Sequence, residues 1–271
     1  MIFIKNIITA SLFLLSFAPF GLSHELWLEG KPFRPQVGER MEIEIRNGEN
    51  FEGVNLSFFN DRIKQFFWQQ GNKKYSVQSR SGDIPAMTTI VQNSGLITVV
   101  YESTPQTISY TKWQKFVDFA KEKDLGDVLS YHNANGLPKT GFSERYQRYS
   151  KALIGAGHAQ GKDNIIGLQT ELVTIGNPYL LKDGNSLQVQ LLYLNLPRAF
   201  AQIEVFERSM QGDVAVHKLR TDQHGIVQLT IKKGYDYLLN SVVLREYQSD
   251  PEAGPLWESL WASLTFSVPV Y

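Results

Sequence analysis

The chain has no cysteine in its 271 residues. That excludes disulfide bridges, thiolate metal ligands and a cysteine nucleophile. An exported chain of this kind holds itself together by packing alone, which suits a bacterial periplasm better than a small secreted scaffold. There is no excess of charge either. Lys and Arg total 27, and so do Asp and Glu, so the basic stripe of a nucleic-acid binder is missing. Beyond residue 23 no apolar run is long enough to cross a bilayer as a helix. No repeat appears at the periods of solenoids or propellers. The Gly-x-Ser-x-Gly elbow, the His-Glu-x-x-His pair and the phosphate-binding glycine loop are all absent. Glu49 and Glu52 form only a loose carboxylate pair. An enzyme is therefore the minority reading.

What is present begins with a leader. Residues 1–23 have the plan of a secretory signal: Lys5, then an apolar stretch from Ile7 to Ala18, then Pro19 and Gly21 as helix breakers. Small residues mark two candidate cleavage sites. Ser16-x-Ala18 would leave Pro19 first, a poor substrate position, whereas Gly21-x-Ser23 leaves His24 first. The second is preferred. Lys5 is the leader's single charge, so the remaining chain carries 26 basic against 27 acidic residues. With no cysteine there is no lipoprotein anchor. The expectation is a protein of a Gram-negative periplasm, soluble once the signal is removed.

From His24 onward the pattern is mainly β. Met41-Glu42-Ile43-Glu44-Ile45 alternates as a half-buried strand does. Ile63 to Trp68 is a second strand, and Gln70-Gly71-Asn72-Lys73 is a hairpin turn after it. Gly95 to Glu102 is β-branched and bounded by Gly95 and Pro105, which marks a core strand. Between about 111 and 135 the period changes. Thr111 and Gln114 have capping-box spacing, and Trp113, Phe116, Val117 and Ala120 recur at helical intervals. Glu144 to Ile154 is ambiguous between helix and strand. Residues 162–271 show short alternating runs separated by turns such as Thr221-Asp222-Gln223-His224-Gly225. The expected fold is two antiparallel β-sandwich domains, 24–160 and 161–271, with a short helical insertion in the first.

Three groups of side chains carry candidate chemistry. An N-terminal His24 would offer its amine and an imidazole nitrogen to one metal ion, a chelate suited to copper, nickel or zinc. His158, in a glycine-flanked loop, is the preferred partner, and His132 is next. His224 more simply fills an exposed turn position. Arg145, Arg148 and Lys151 recur at spacing three, one side of a helix; they would bind an anion, but the commoner explanation is a solvated face or ion pairs to the neighbouring sheet. Trp27, Trp257, Trp261 and Tyr271 can stack on sugars, but aromatics on sandwich strands are more often core.

Several stretches together resemble the bacterial exported family called domain of unknown function 4198. They are His24-Glu25-Leu26-Trp27-Leu28-Glu29, Val99-Val100-Tyr101 with Tyr110, Arg145 to Leu153, Asn177-Pro178-Tyr179, Thr221 to Gly225, and Trp257 through Phe266. The resemblance covers nearly all of the chain after the leader. It implies a periplasmic component associated with nickel or cobalt uptake. The last domain also looks like the transthyretin or carboxypeptidase-regulatory type of sandwich. Two histidines common in the family are missing: Arg46-Asn47-Gly48-Glu49 and Ser241-Val242-Val243-Leu244-Arg245 contain none.

The leading expectation is thus a non-enzymatic binding protein that handles nickel, cobalt or copper and hands it to an inner-membrane transporter. The alternative is an envelope interaction module that binds a protein or glycan without metal. A third is an oxidative enzyme built on an N-terminal-histidine copper site.

Overall fold

The computed structural model describes residues 24–182, 184–247, 254–268 and 270. The expected leader and its expected cleavage site, residues 1–23, and Asp183 and Tyr271 lie outside the described residues. The first strands in chain order are β1 (Glu25–Lys31), β2 (Arg40–Glu49), β3 (Glu52–Leu56), β4 (Ile63–Gln70), β5 (Lys73–Ser76), β6 (Met87–Ile90), β7 (Gly95–Ser103) and β8 (Gln106–Tyr110). Helices α1 (Trp113–Glu122) and α2 (Val128–Ala134) follow, then the long strand β9 (Phe142–Ala156). The remaining strands are β10 (Thr170–Ile175), β11 (Ser186–Tyr193), β12 (Leu196–Pro197), β13 (Gln202–Arg208), β14 (Val214–Arg220), β15 (Ile226–Thr230), β16 (Tyr235–Glu246) and β17 (Trp257–Val268).

These strands make three layers. The middle layer is a nine-stranded sheet in the order β14-β13-β16-β17-β9-β7-β4-β5, with β8 also paired to β9. One outer sheet is β1-β2-β3 with β6 on β2, and the other is β10-β11-β12 with β15 on β11. Side chains alternate across a strand, and β9 shows how the middle sheet is shared. Ala152, Ile154 and Ala156 join the core under β1 and β2, with Leu28, Ile43 and Ile97. Leu153 joins the opposite core, with Leu172, Val189, Ile203 and Phe266. The architecture is mainly β and sandwich-like, as the alternation indicates.

The boundary expected near residue 160 does not divide the chain into separate sheets. The last long strand, β17, returns to lie parallel to β9, from Trp257 beside Glu144 to Thr265 beside Ala152. Both halves of the chain therefore hydrogen-bond into one sheet. Strand β1 is tied across this join. Ser150 Oγ on β9 donates to the Leu26 carbonyl, and Thr265 Oγ1 on β17 donates to that of Leu28. Trp27, fully buried, packs on Phe51, Phe206 and Leu238.

One open alternative is resolved and one local expectation is corrected. Residues 144–154 lie within strand β9, not on a helix. Every residue from Gln147 to Ala156 is buried, because the strand is covered on both faces. Burial on both faces erases the period-two signal. The capping box at Thr111 and Gln114 does not form. The residue before α1 is Lys112, with no side-chain cap, and Gln114 Nε2 donates to Asp118 within the helix.

Candidate functional site

Helix α1 and the start of β1 cover the same face of the middle sheet and leave a gap between them. The gap is a cavity of about 260 Å³, lined by His24, Asn47, Ile108, Tyr110, Phe119, Glu144, Tyr146, Arg148 and Trp261. Alternation along β9 explains three of these at once, since Glu144, Tyr146 and Arg148 are two residues apart and share a face. Trp261 joins them because it pairs with Arg148 across β9 and β17. His24 stands at the start of β1, where its Nε2 lies 3.3 Å from Glu49 Oε1.

Glu144 is the acid of the chamber. The Tyr110 hydroxyl donates to its Oε2 at 2.7 Å, and the Ser259 hydroxyl donates to Oε1. Burial pushes its carboxyl up to about 7, against the pull of the two hydroxyls and of Arg148. Burial, together with this acid, holds the Tyr110 hydroxyl well above its usual range. Arg148 is the base. It is 9% exposed, and burial brings its guanidinium down to about 10, so it stays charged at neutral pH. The guanidinium carbon sits 3.9 Å above the centre of the Trp261 ring and 5.3 Å from that of Tyr146. The indole is fixed in turn, because its Nε1 donates to Ser259 Oγ at 2.8 Å. Among the described residues no carboxylate lies within ion-pair distance of Arg148, and its Nη1 is buried without a hydrogen-bond partner.

The two other buried cations among the described residues are fully compensated. Lys123, after α1, touches Glu25 at 2.8 Å and Glu204 at 2.7 Å. Burial opposes its charge, but the two carboxylates outweigh burial and hold the ammonium above its usual range. Lys151, on the far face of β9, touches Asp163 at 2.9 Å and Glu171 at 3.0 Å. A buried, unpaired charge is expensive, so Arg148 stands apart from its neighbours in kind.

The family model described as a domain of unknown function (DUF4198) matches residues 22–244. The chain belongs to the DUF4198 family. No protein of curated function matches it. In this DUF4198 chain the three candidate histidines are not brought together. His132 is sealed in the core beside Phe116, Phe142 and Trp257. Trp257 Nε1 donates to its Nδ1 at 3.1 Å, so its Nε2 carries the proton and donates to the Pro138 carbonyl at 3.0 Å. Neither nitrogen is left for a metal, and burial holds its pKa below the ordinary value. His158 is exposed two residues past the end of β9, its backbone amide donating to Ser94 Oγ. Ten residues of chain separate it from Arg148, which places it about 30 Å along the strand from the chamber. Among the described residues no group of three His, Asp or Glu is placed to hold a metal ion.

The basic trio is also separated. Arg145 and Lys151 share one face of β9 and Arg148 the other. Arg145 pairs with Glu258 at 2.8 Å, and Lys151 is locked between its two acids. Only Arg148 faces the chamber. Trp27 and Trp257 are core, and Trp261 is both core and chamber floor. His224 sits in an exposed turn held by Asp222, whose carboxylate accepts from the backbone amides of His224 and Ile226. Glu144, Tyr110 and Ser259 were missed as site residues. The signal for Glu144 was present: a strand reading of residues 144–148 puts it beside Arg148.

The chamber acid makes stability depend on pH. A carboxyl whose pKa rises from 4.5 to about 7 on folding adds stability that is complete below 4.5 and lost as pH passes 7. The folded state binds the extra proton between those values, so stability falls as pH rises. This group should remove about 3 kcal/mol between about pH 5 and about pH 8. Urea unfolding of the wild type and Glu144→Gln at both pH values measures it, because the glutamine variant lacks the term. Equal losses in the two proteins would rule it out.

Proposed function

We propose that this chain is a non-enzymatic binding protein of the cell envelope, with the chamber beside His24 as its ligand site. One observation carries the reading: the buried Arg148 guanidinium lines a cavity and, among the described residues, has no carboxylate within ion-pair distance, so an occupant would supply the contact the fold withholds. Binding pockets typically combine apolar walls with a few convergent polar groups. Here Ile108, Phe119 and Trp261 supply the first, and Glu144, Arg148 and Asn47 the second. The apolar stretch within residues 1–23 supports export to the periplasm. Among the described residues no helix is long and apolar enough to cross a membrane.

A second reading keeps a divalent nickel, cobalt or copper ion as cargo, delivered to an inner-membrane transporter. The His24–Glu49 contact favours it. A metal-bound histidine commonly gives its second ring nitrogen to a carboxylate, which would leave Nδ1 and, in a chain that starts at His24, the amine. The donor set is otherwise thin. The cation Arg148 in the same cavity opposes a second positive charge.

One experiment tests both. The protein without its leader is equilibrated with a bacterial periplasmic extract, desalted, and analysed for retained small molecules and metals. The first reading expects organic compounds retained by the wild type and lost in Ile108→Trp, which fills the chamber. A retained profile equal to the buffer blank, or unchanged by Ile108→Trp, defeats it. Retention of nickel, cobalt or copper that His24→Ala abolishes would support the second reading.

A further inference from the structure

We infer that the chamber takes a small organic monocarboxylate, with the carboxylate on Arg148 and an apolar body between Trp261, Phe119 and Ile108. The inference rests on the chamber being a ligand site, as proposed above, and names the chemical class of its ligand.

Charge sets the sign. Three lysines and arginines are buried among the described residues, Lys123, Arg148 and Lys151; Lys123 has three carboxylates in contact and Lys151 two. Among the described residues Arg148 has none in contact, and Glu25 and Glu144 attract it only from beyond ion-pair distance, so the missing contact partner is an anion. Glu144 does not fill that role. Its two oxygens are held by the Tyr110 and Ser259 hydroxyls, and it attracts Arg148 without lying within ion-pair distance of it.

Geometry sets the group. A guanidinium is planar, and its fork of N–H donors matches a carboxylate through two parallel hydrogen bonds. The guanidinium carbon lies 3.9 Å over the Trp261 ring, which holds the group in place. With the indole itself fixed on Ser259, a ligand meets an oriented cation rather than a mobile one, which reduces the ordering cost of binding.

Size and walls set the body. At about 260 Å³ the chamber falls below the range of roughly 300–1,000 Å³ usual for drug-sized ligands. Ile108, Phe119, Tyr146 and Trp261 give it apolar and aromatic walls. At the mouth, His24 is already engaged with the Glu49 carboxylate. A second anionic group on the ligand would meet that acid, so one carboxylate is favoured over two.

Phenylacetate and its neutral isostere phenylacetamide are suitable probes, titrated into the leaderless full chain and followed by calorimetry. Phenylacetate should bind roughly ten- to a hundredfold more tightly than the amide, as expected for a hydrogen bond to a charged group. Arg148→Met should abolish that difference while leaving the circular dichroism spectrum native, and Arg148→Lys should restore part of it. The inference is overturned if phenylacetamide binds as well as phenylacetate, if Arg148→Met keeps the preference, or if phenylacetate does not bind at millimolar concentration. It is also overturned if inorganic phosphate displaces phenylacetate at equal concentration, which would make the site a general anion site. None of these results touches the chamber reading, which stands or falls on the extract experiment.

Discussion

Replacing Lys151 by methionine should cost about 3–5 kcal/mol of stability, the usual penalty for stripping one partner from a buried ionic cluster. The ammonium is 1% exposed and lies between Asp163 and Glu171, which are equally buried. It also donates to the Asn164 carbonyl at 3.2 Å. Without it, two carboxylates face each other with no cation between them. Glu171 would keep the amides of Ile166, Gly167 and Leu168, and Asp163 those of Asn164 and Thr174. Those bonds orient the acids but do not cancel their mutual repulsion. For a chain of this size the melting temperature should fall by roughly 6–20 °C. Adding Asp163→Asn and Glu171→Gln to Lys151→Met should recover most of the loss, because no charge is then left unpaired. A single variant that unfolds within about 1 kcal/mol of wild type would show that the cluster contributes little.

Three residues earlier on the same strand, the expected sign reverses. Arg148→Met should leave the protein as stable as wild type or more stable, by about 1–2 kcal/mol. The guanidinium has paid its desolvation cost without an ion pair, and replacing buried charge by apolar volume is often stabilising. Some of the gain is offset by the lost contact with the Trp261 ring, worth about 0.5–2 kcal/mol. Methionine is unbranched and can follow the same path over the indole. Urea unfolding at neutral pH reads the result. A loss beyond about 1 kcal/mol would mean that Arg148 has a structural partner in the free protein, and the case for a ligand anion would weaken with it. Lys151 and Arg148 thus form an internal contrast: one holds the fold together, and the other is tolerated by it.

That contrast could not be read from residue spacing. Arg145, Arg148 and Lys151 are three apart, and the pattern invites a helix with one basic face. The strand assignment divides them, two on one face and one on the other. The ambiguity had a physical source. A strand covered by outer sheets on both faces carries buried residues at every position, and so shows no alternation to distinguish it from a helix. The polar residues that interrupt β9 are there because their partners come from distant segments: Glu171 for Lys151, Glu258 for Arg145.

The histidines show the same limit. His132 and His158 were reasonable metal candidates by residue type and context. His132 proves to be a core residue with both nitrogens used, and His158 lies at the other end of β9 from His24. Nothing in a linear sequence measures those separations. The local turns fared better, because their determinants are local. The hairpin between β4 and β5 forms at Gln70 to Lys73, and Asp222 organises the turn before β15.

The sequence alone determined the mainly β character, the helical interlude between 111 and 135, the core strand at Gly95 to Glu102, and the family, which follows from motifs spread along most of the chain. These are properties of short windows, set by side-chain shape and by period. Only the tertiary structure decided that β17 lies against β9, that one sheet serves both halves, and that Glu144, Arg148 and Trp261 meet beside His24. The physical reason is sequence distance. Trp261 is 113 residues beyond Arg148, and their pairing is selected by the burial of two cores together rather than by any preference of either residue.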